Sequence, residues 1–270
     1  MSLMGHLGEV RKRVTYSAIA VVVCMIAAFV EKDYVLAILM RPLRRAGFTD
    51  NLATFGVTEG FMQILKISIY AGLLICLPFI LYQFWAFIMP ALYENEKRST
   101  VPYVAFTTVL FLSGVAFGYL VVLPIGLKFM VGYGNQFFNQ LFQAERYFSF
   151  VSMFLLAFGC VFELPLIMML LAWAGLVNHR QMRKVRKYAI LVEAVIAMVF
   201  TPSQDPLSMG LMLVPLIVLY EFGIWLAQIA VRRKEKRQAL AALAEEETAL
   251  AAAQAALAED QAALAEEQAT

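Results

Sequence analysis

Charged residues are scarce in this 270-residue chain: Asp, Glu, Lys and Arg together make up 16%. A soluble domain carries nearer a quarter, so most of the chain is not solvated by water. Histidine is scarcer, with two, and cysteine numbers three. His6 and His179 lack ligand spacing, and neither lies in an apolar run where an intramembrane hydrolase needs it. No Walker-type phosphate loop and no G-x-S-x-G turn occurs. These absences argue against an enzyme, and no cofactor, metal or nucleic-acid partner is expected. Cys24, Cys76 and Cys160 each sit in an apolar run, scattered in a way that builds neither a disulfide framework nor a metal cluster. They read as small apolar packing residues.

What the chain has is hydrocarbon. Residues are 61% hydrophobic and fall into six apolar runs: Val14–Val30, Ile67–Met89, Val101–Ile125, Phe148–Ala174, Tyr188–Phe200 and Leu207–Val231. Backbone groups in lipid must be bonded internally, so each run predicts a helix and the chain an all-α integral membrane protein. The first run has no small-residue cleavage site after it and reads as a retained span. Pro78, Pro165 and Pro215 lie inside runs and predict kinks whose freed carbonyls find other partners. The fifth run holds only thirteen residues, about 20 Å of helix against a hydrocarbon core of about 30 Å. Either the bilayer thins there or that helix is sheltered at one side of the bundle.

Net charge is +2, but all Lys and Arg precede residue 238, and the residues after it hold seven acids. Fifteen of the twenty-two bases lie in the N-terminal segment, "YENEKRS", "NHRQMRKVRK" and "VRRKEKR". That bias predicts both termini in the cytoplasm. The expected division is a six-span membrane domain over 1–231 and, over 232–270, a basic cluster followed by an acidic Ala/Glu-rich tail. The tail repeats Leu at 243, 250, 257 and 264 on strong helix formers. Glu or Gln fills the partner heptad position, so a solvated, partly helical appendage is expected rather than a coiled coil.

Acids beside basic or apolar neighbours remain as candidates for chemistry. Glu9 precedes the first span in "HLGEVRKR", and Glu94 and Glu96 follow the aromatic stretch "QFWAFIMPALY". Carboxylates beside membrane-level apolar side chains suit a peptide in which arginines precede a hydrophobic segment, because guanidinium and carboxylate pair in a fork. The other reading is that these acids only balance nearby bases. Glu163, Glu193 and Glu221 lie inside spans. Glu163 is near mid-depth, where a charge costs about 2.5–3.5 kcal/mol, so it must face protein or water. Its role is either a structural hydrogen bond to a freed backbone group or a functional contact.

Taken together, "HLGEVRKR", "TEGFMQILK", "PFILYQFWAFIMPALYENEKR", "FLSGVAFGYLVVLP", "FGCVFELP" and "PLIVLYEFGIW" resemble, in order and spacing, the TatC family, the six-helix receptor of the twin-arginine translocase. The resemblance covers residues 3–231. It implies a cupped bundle, with fifth and sixth helices short or sheltered, in a bacterial-type inner membrane. It also implies binding of Arg-Arg signal peptides of folded cargo, recruitment of TatA and TatB for proton-gradient-driven export, and a homo-oligomeric receptor complex. By the same resemblance Glu9, Arg11, Arg13, Phe87 and Glu96 fall on the signal-peptide site, and Glu94 has no counterpart. Glu163 and Glu221 fall on intramembrane polar positions, and Asp205 on the periplasmic turn, although "TPSQDPLS" carries an extra residue there. Val10 replaces the family's usual leucine, and Glu193 stands where a small residue is common. The rival expectation is a proton-coupled small-solute transporter using Glu163, but the chain shows no internal duplication of the kind such proteins often carry.

Overall fold

Hydrocarbon offers a backbone no partner, so a chain that crosses it has helices or closed barrels to choose from. The structure, a computed structural model, describes residues 3–92, 100–134, 141–177, 179–200 and 206–268. Among them are ten α-helices, a π-helical segment and no strand. The first two spans are α1 (Leu3–Val30) and α3 (Glu59–Leu92), separated by α2 (Lys32–Arg45). The third is α4 (Thr100–Phe117), a π turn (Gly118–Val122) and α5 (Leu123–Gly134) in unbroken succession. The fourth is α6 (Ala144–Phe162) followed by α7 (Leu164–Trp173). The short α8 (His179–Lys184) leads into α9 (Arg186–Phe200), and α10 runs from Pro206 to Gln268.

Five helical stretches are long and apolar enough to cross a membrane. The remaining run is α9, whose 15 residues make about 22 Å of helix. The six-helix membrane architecture is therefore present, with the fifth helix as short as its sequence predicts. Asp205 lies outside the described residues. At the far end α10 continues through the Ala/Glu-rich segment without interruption. Its Ala, Glu and Gln content favours that helix.

The apolar-run pattern does not announce α2. Its 14 residues carry five charges, yet Leu39, Pro42 and Leu43 are buried on one face. Asp33 in its first turn and Arg44 and Arg45 in its last complement the helix dipole. That face joins Phe48, Leu127, Tyr147, Phe148 and Val151 in the largest buried cluster, tying α2 to α5 and α6. Pro42 has no N–H, so the carbonyl of Ile38 loses its helical donor. The hydroxyl of Tyr119, from the π turn, donates to that carbonyl at 2.8 Å, and Tyr147 donates to Leu39 O at 2.7 Å.

The connection after α2 is pinned on the same side. Ala53 donates to Phe142 O and accepts from Ala144 N, each at 2.9 Å. Glu59, opening α3, accepts from the backbone N–H of Phe55 at 2.6 Å and of Gly56 at 3.0 Å, and from Gln143 Nε2 at 3.1 Å. One carboxylate thus closes the loop, caps the helix start and ties both to α6.

Small residues set how closely the spans approach, as expected where lipid removes the hydrophobic drive between helices. A Cβ on Gly72 of α3 would lie 2.6 Å from both Met25 Cα and Met25 N of α1. Gly159 of α6 leaves the space that the buried Phe111 ring of α4 fills. An open, apolar cavity of about 590 Å³ is lined from α1, α2, α3, α4 and α6, with Ser152 among its walls.

Two outcomes are expected from thermal unfolding of the purified protein in detergent. Gly72→Ala should lower stability by about 1–3 kcal/mol, since backbone cannot yield as a side-chain end does. Gly126→Ala, where an added Cβ meets nothing, should not. Tyr119→Phe should cost about 1–3 kcal/mol by stranding the Ile38 carbonyl.

Candidate functional site

Near the start of α1, Glu9 and Arg13 stand one turn apart on one face. Arg13 donates to Glu9 Oε1 through Nη2 at 2.6 Å and through Nε at 3.2 Å. Its other terminal nitrogen, Nη1, reaches Gln83 Oε1 of α3 at 3.3 Å. Both charged side chains are about a quarter to a third exposed. Gln83 and the half-buried Phe87 are also one turn apart, so they share a face of α3. The structure therefore brings Glu9, Arg13 and Gln83 together near the end of α3 that carries Phe87. Arg11 is exposed, and its carbonyl accepts from Thr15 Oγ1 at 2.8 Å. Glu94 and Glu96 lie outside the described residues.

Glu163 sits at the break in the fourth span. Its N–H donates to Cys160 O at 3.1 Å, and its carbonyl accepts from Leu166 at 3.1 Å and Ile167 at 3.0 Å. It ends α6 and begins α7, with Pro165 in the first turn, where a missing N–H costs least. The residue is 9% exposed and its Oε1 has no hydrogen-bond partner. That oxygen does not serve a freed backbone group. Gly223 of α10 fits against this turn: a Cβ there would lie 2.6 Å from Met168 Sδ and 3.2 Å from Pro165 Cα.

Glu221 on α10 accepts from Arg186 Nη2 of α9 at 2.6 Å, with both side chains about half exposed. One residue before it, Tyr220 donates to Met182 O at 3.0 Å, tying α10 to α8. Glu193 lies on the buried face of α9, one turn from the buried Ala197, within electrostatic reach of Tyr220 and Glu221. It is 4% exposed and its Oε2 is unpartnered. Charge spacing alone did not reveal Gln83 or Arg186 as partners. Gln83 was legible as the lone amide in "FILYQFWAF" one turn before Phe87, whereas Arg186 meets Glu221 only through the tertiary pairing of α9 with α10.

The TatC family model, Sec-independent protein translocase protein, matches residues 5–215. The TatC protein of Aquifex aeolicus is 39% identical over 243 residues, covering 88% of this chain and 99% of that protein. That of Desulforapulum autotrophicum is 37% identical over 238 residues, covering 88% of each. A crystal structure described as the twin-arginine translocase receptor TatC superimposes with a TM-score of 0.77 at 37% identity, covering 84% of this chain and 99% of that one. These matches indicate transport of protein rather than catalysis, and they do not favour a small-solute transporter. The chain belongs to the TatC family of Sec-independent protein translocases, as a multi-pass membrane component.

Proposed function

We propose that this chain is the core receptor of a twin-arginine translocase, binding Arg-Arg signal peptides of folded proteins at the cytoplasmic face of the inner membrane. The observation that carries this reading is the Glu9 carboxylate already holding a guanidinium, with the Gln83 amide beside it on α3 and Phe87 one turn further along that helix. Arg13 donates to Glu9 Oε1 through both Nη2 and Nε, which supports a site suited to the forked donor of arginine, a geometry lysine cannot reproduce. A signal peptide's arginines would pair with Glu9 and with Glu96 while its apolar segment runs past Phe87 along the bundle. Arg13 holds Glu9 when the peptide is absent, and Arg11 and Arg13 belong to the same signal-peptide site in this reading. Both termini and the basic loops face the cytoplasm in this reading, and Asp205 lies on the periplasmic turn.

Recruitment of TatA and TatB within a homo-oligomeric receptor complex, with export driven by the proton gradient, completes the proposal. Glu163 offers an unpaired oxygen at mid-depth to a polar residue of a partner's transmembrane helix. Glu221 is a second contact point, held by Arg186 until a partner competes for it. Residues 1–231 form the translocase domain, and the helical tail over 232–270 is dispensable for the core activity.

Photo-crosslinkers at Phe87 and Glu96 should capture an Arg-Arg signal peptide strongly and its Lys-Lys variant weakly. Equal capture of the two peptides sinks the recognition claim. Glu163→Gln and Glu163→Ala should both reduce TatA co-purification and export while leaving the Phe87 crosslink intact. Unchanged recruitment in both variants would return Glu163 to a structural role.

A further inference from the structure

A groove between the start of α4, the end of α7 and the middle of α10 lies away from both the Glu9 site and Glu163. Its volume is about 560 Å³. That falls in the small-ligand range of about 300–1,000 Å³. Its floor is apolar, with Leu170 from α7 and Leu226 and Ile229 from α10. Along α10 the residues Trp225, Ile229 and Arg233 recur every four positions, so they form one stripe on one helix face. The stripe runs from an aromatic through an aliphatic side chain to a cation over about 12 Å of helix.

That order matches one molecule already in the membrane. We propose that the groove binds an anionic phospholipid, its acyl chain on Leu170, Leu226 and Ile229 and its phosphate on Arg233 and Gln238. Tyr103 and Trp225 line the apolar part, where an acyl chain would lie against their rings. Arg233 and Gln238 are exposed beyond the apolar run, where a guanidinium grips a phosphate through two parallel hydrogen bonds. Arg232 beside Arg233 and Lys236 three residues on are exposed too and outweigh the exposed Glu235, so the local field favours an anion. Basic pockets between transmembrane helices are a recurring means of holding acidic headgroups. The inference is independent of the signal-peptide reading, since none of the groove's residues belongs to that site.

The test uses the full chain, delipidated in detergent, with phosphatidylglycerol or phosphatidylcholine of the same acyl composition added back and bound lipid counted by native mass spectrometry. Phosphatidylglycerol should be retained about fivefold more tightly, the effect of one basic side chain near a membrane surface. Arg233→Gln should remove that preference, whereas Arg232→Gln, outside the groove, should keep it. Brominated acyl chains on phosphatidylglycerol should quench tryptophan fluorescence in the wild-type protein and less so in Trp225→Leu. Equal retention of the two lipids, equal loss in the two arginine variants, or quenching unchanged by Trp225→Leu would each overturn the proposal.

Discussion

Every backbone N–H and C=O that enters hydrocarbon must find its partner inside the chain, and the rest of this structure follows from how that is met. Long helices meet it for most residues. Where the helix ladder is interrupted, other parts of the chain step in. Pro42 frees a carbonyl in α2, and Tyr119 from the π turn supplies the hydroxyl. Serving that carbonyl draws the π turn against α2, and Tyr147 draws α6 in beside it. The loop after α2 uses backbone pairing with the start of α6 and the capping carboxylate of Glu59 for the same end. The largest buried cluster lies between these fixed points, so bonding and packing reinforce one another.

Once backbone demand is met, shape decides which helices touch. Gly72 admits the backbone of α1, Gly159 admits Phe111, and Gly223 admits the first turn of α7. In lipid such contacts carry the weight that apolar burial carries in water, because a leucine gains little by leaving acyl chains for another helix. The many apolar side chains still exposed along α1, α9 and the apolar part of α10 before Arg232 are what lipid-facing positions of such a bundle require.

The six spans were legible because membrane crossing leaves a length and composition signature that a single sequence carries in full. The brevity of α9 was legible for the same reason. Two features escaped that signature. The α2 helix is amphipathic and charged, and what holds it in place is the burial of Leu39 and Leu43 in the shared core with α5 and α6 and the Tyr147 hydroxyl on Leu39 O. The break at Glu163 was visible only as a proline two residues on, because the same letters read as one run until the backbone is built. In the candidate site, Glu9 and Arg13 were readable from their spacing and from family resemblance. Their link to Gln83 spans seventy residues and exists only once α1 has packed on α3.

Polar groups within the spans divide into two kinds, and the division bears on function. Ser68, Thr107, Tyr119 and Tyr147 each bond a backbone carbonyl and strengthen the scaffold. The side-chain amide of Gln63, Trp85 Nε1, Glu163 Oε1 and Glu193 Oε2 are buried without a partner. Each stranded group costs about 1–3 kcal/mol, so together they weigh against a marginal fold. Glu163 occupies the one place where the fourth span is broken and α10 presses against the break through Gly223. An acceptor held unpaired at a helix junction gains more from an incoming donor than one already bonded, because no existing bond has to be given up. A partner donor that satisfied Glu163 would recover the cost of its burial, which is how the proposed contact accounts for a carboxyl group at the centre of an apolar run.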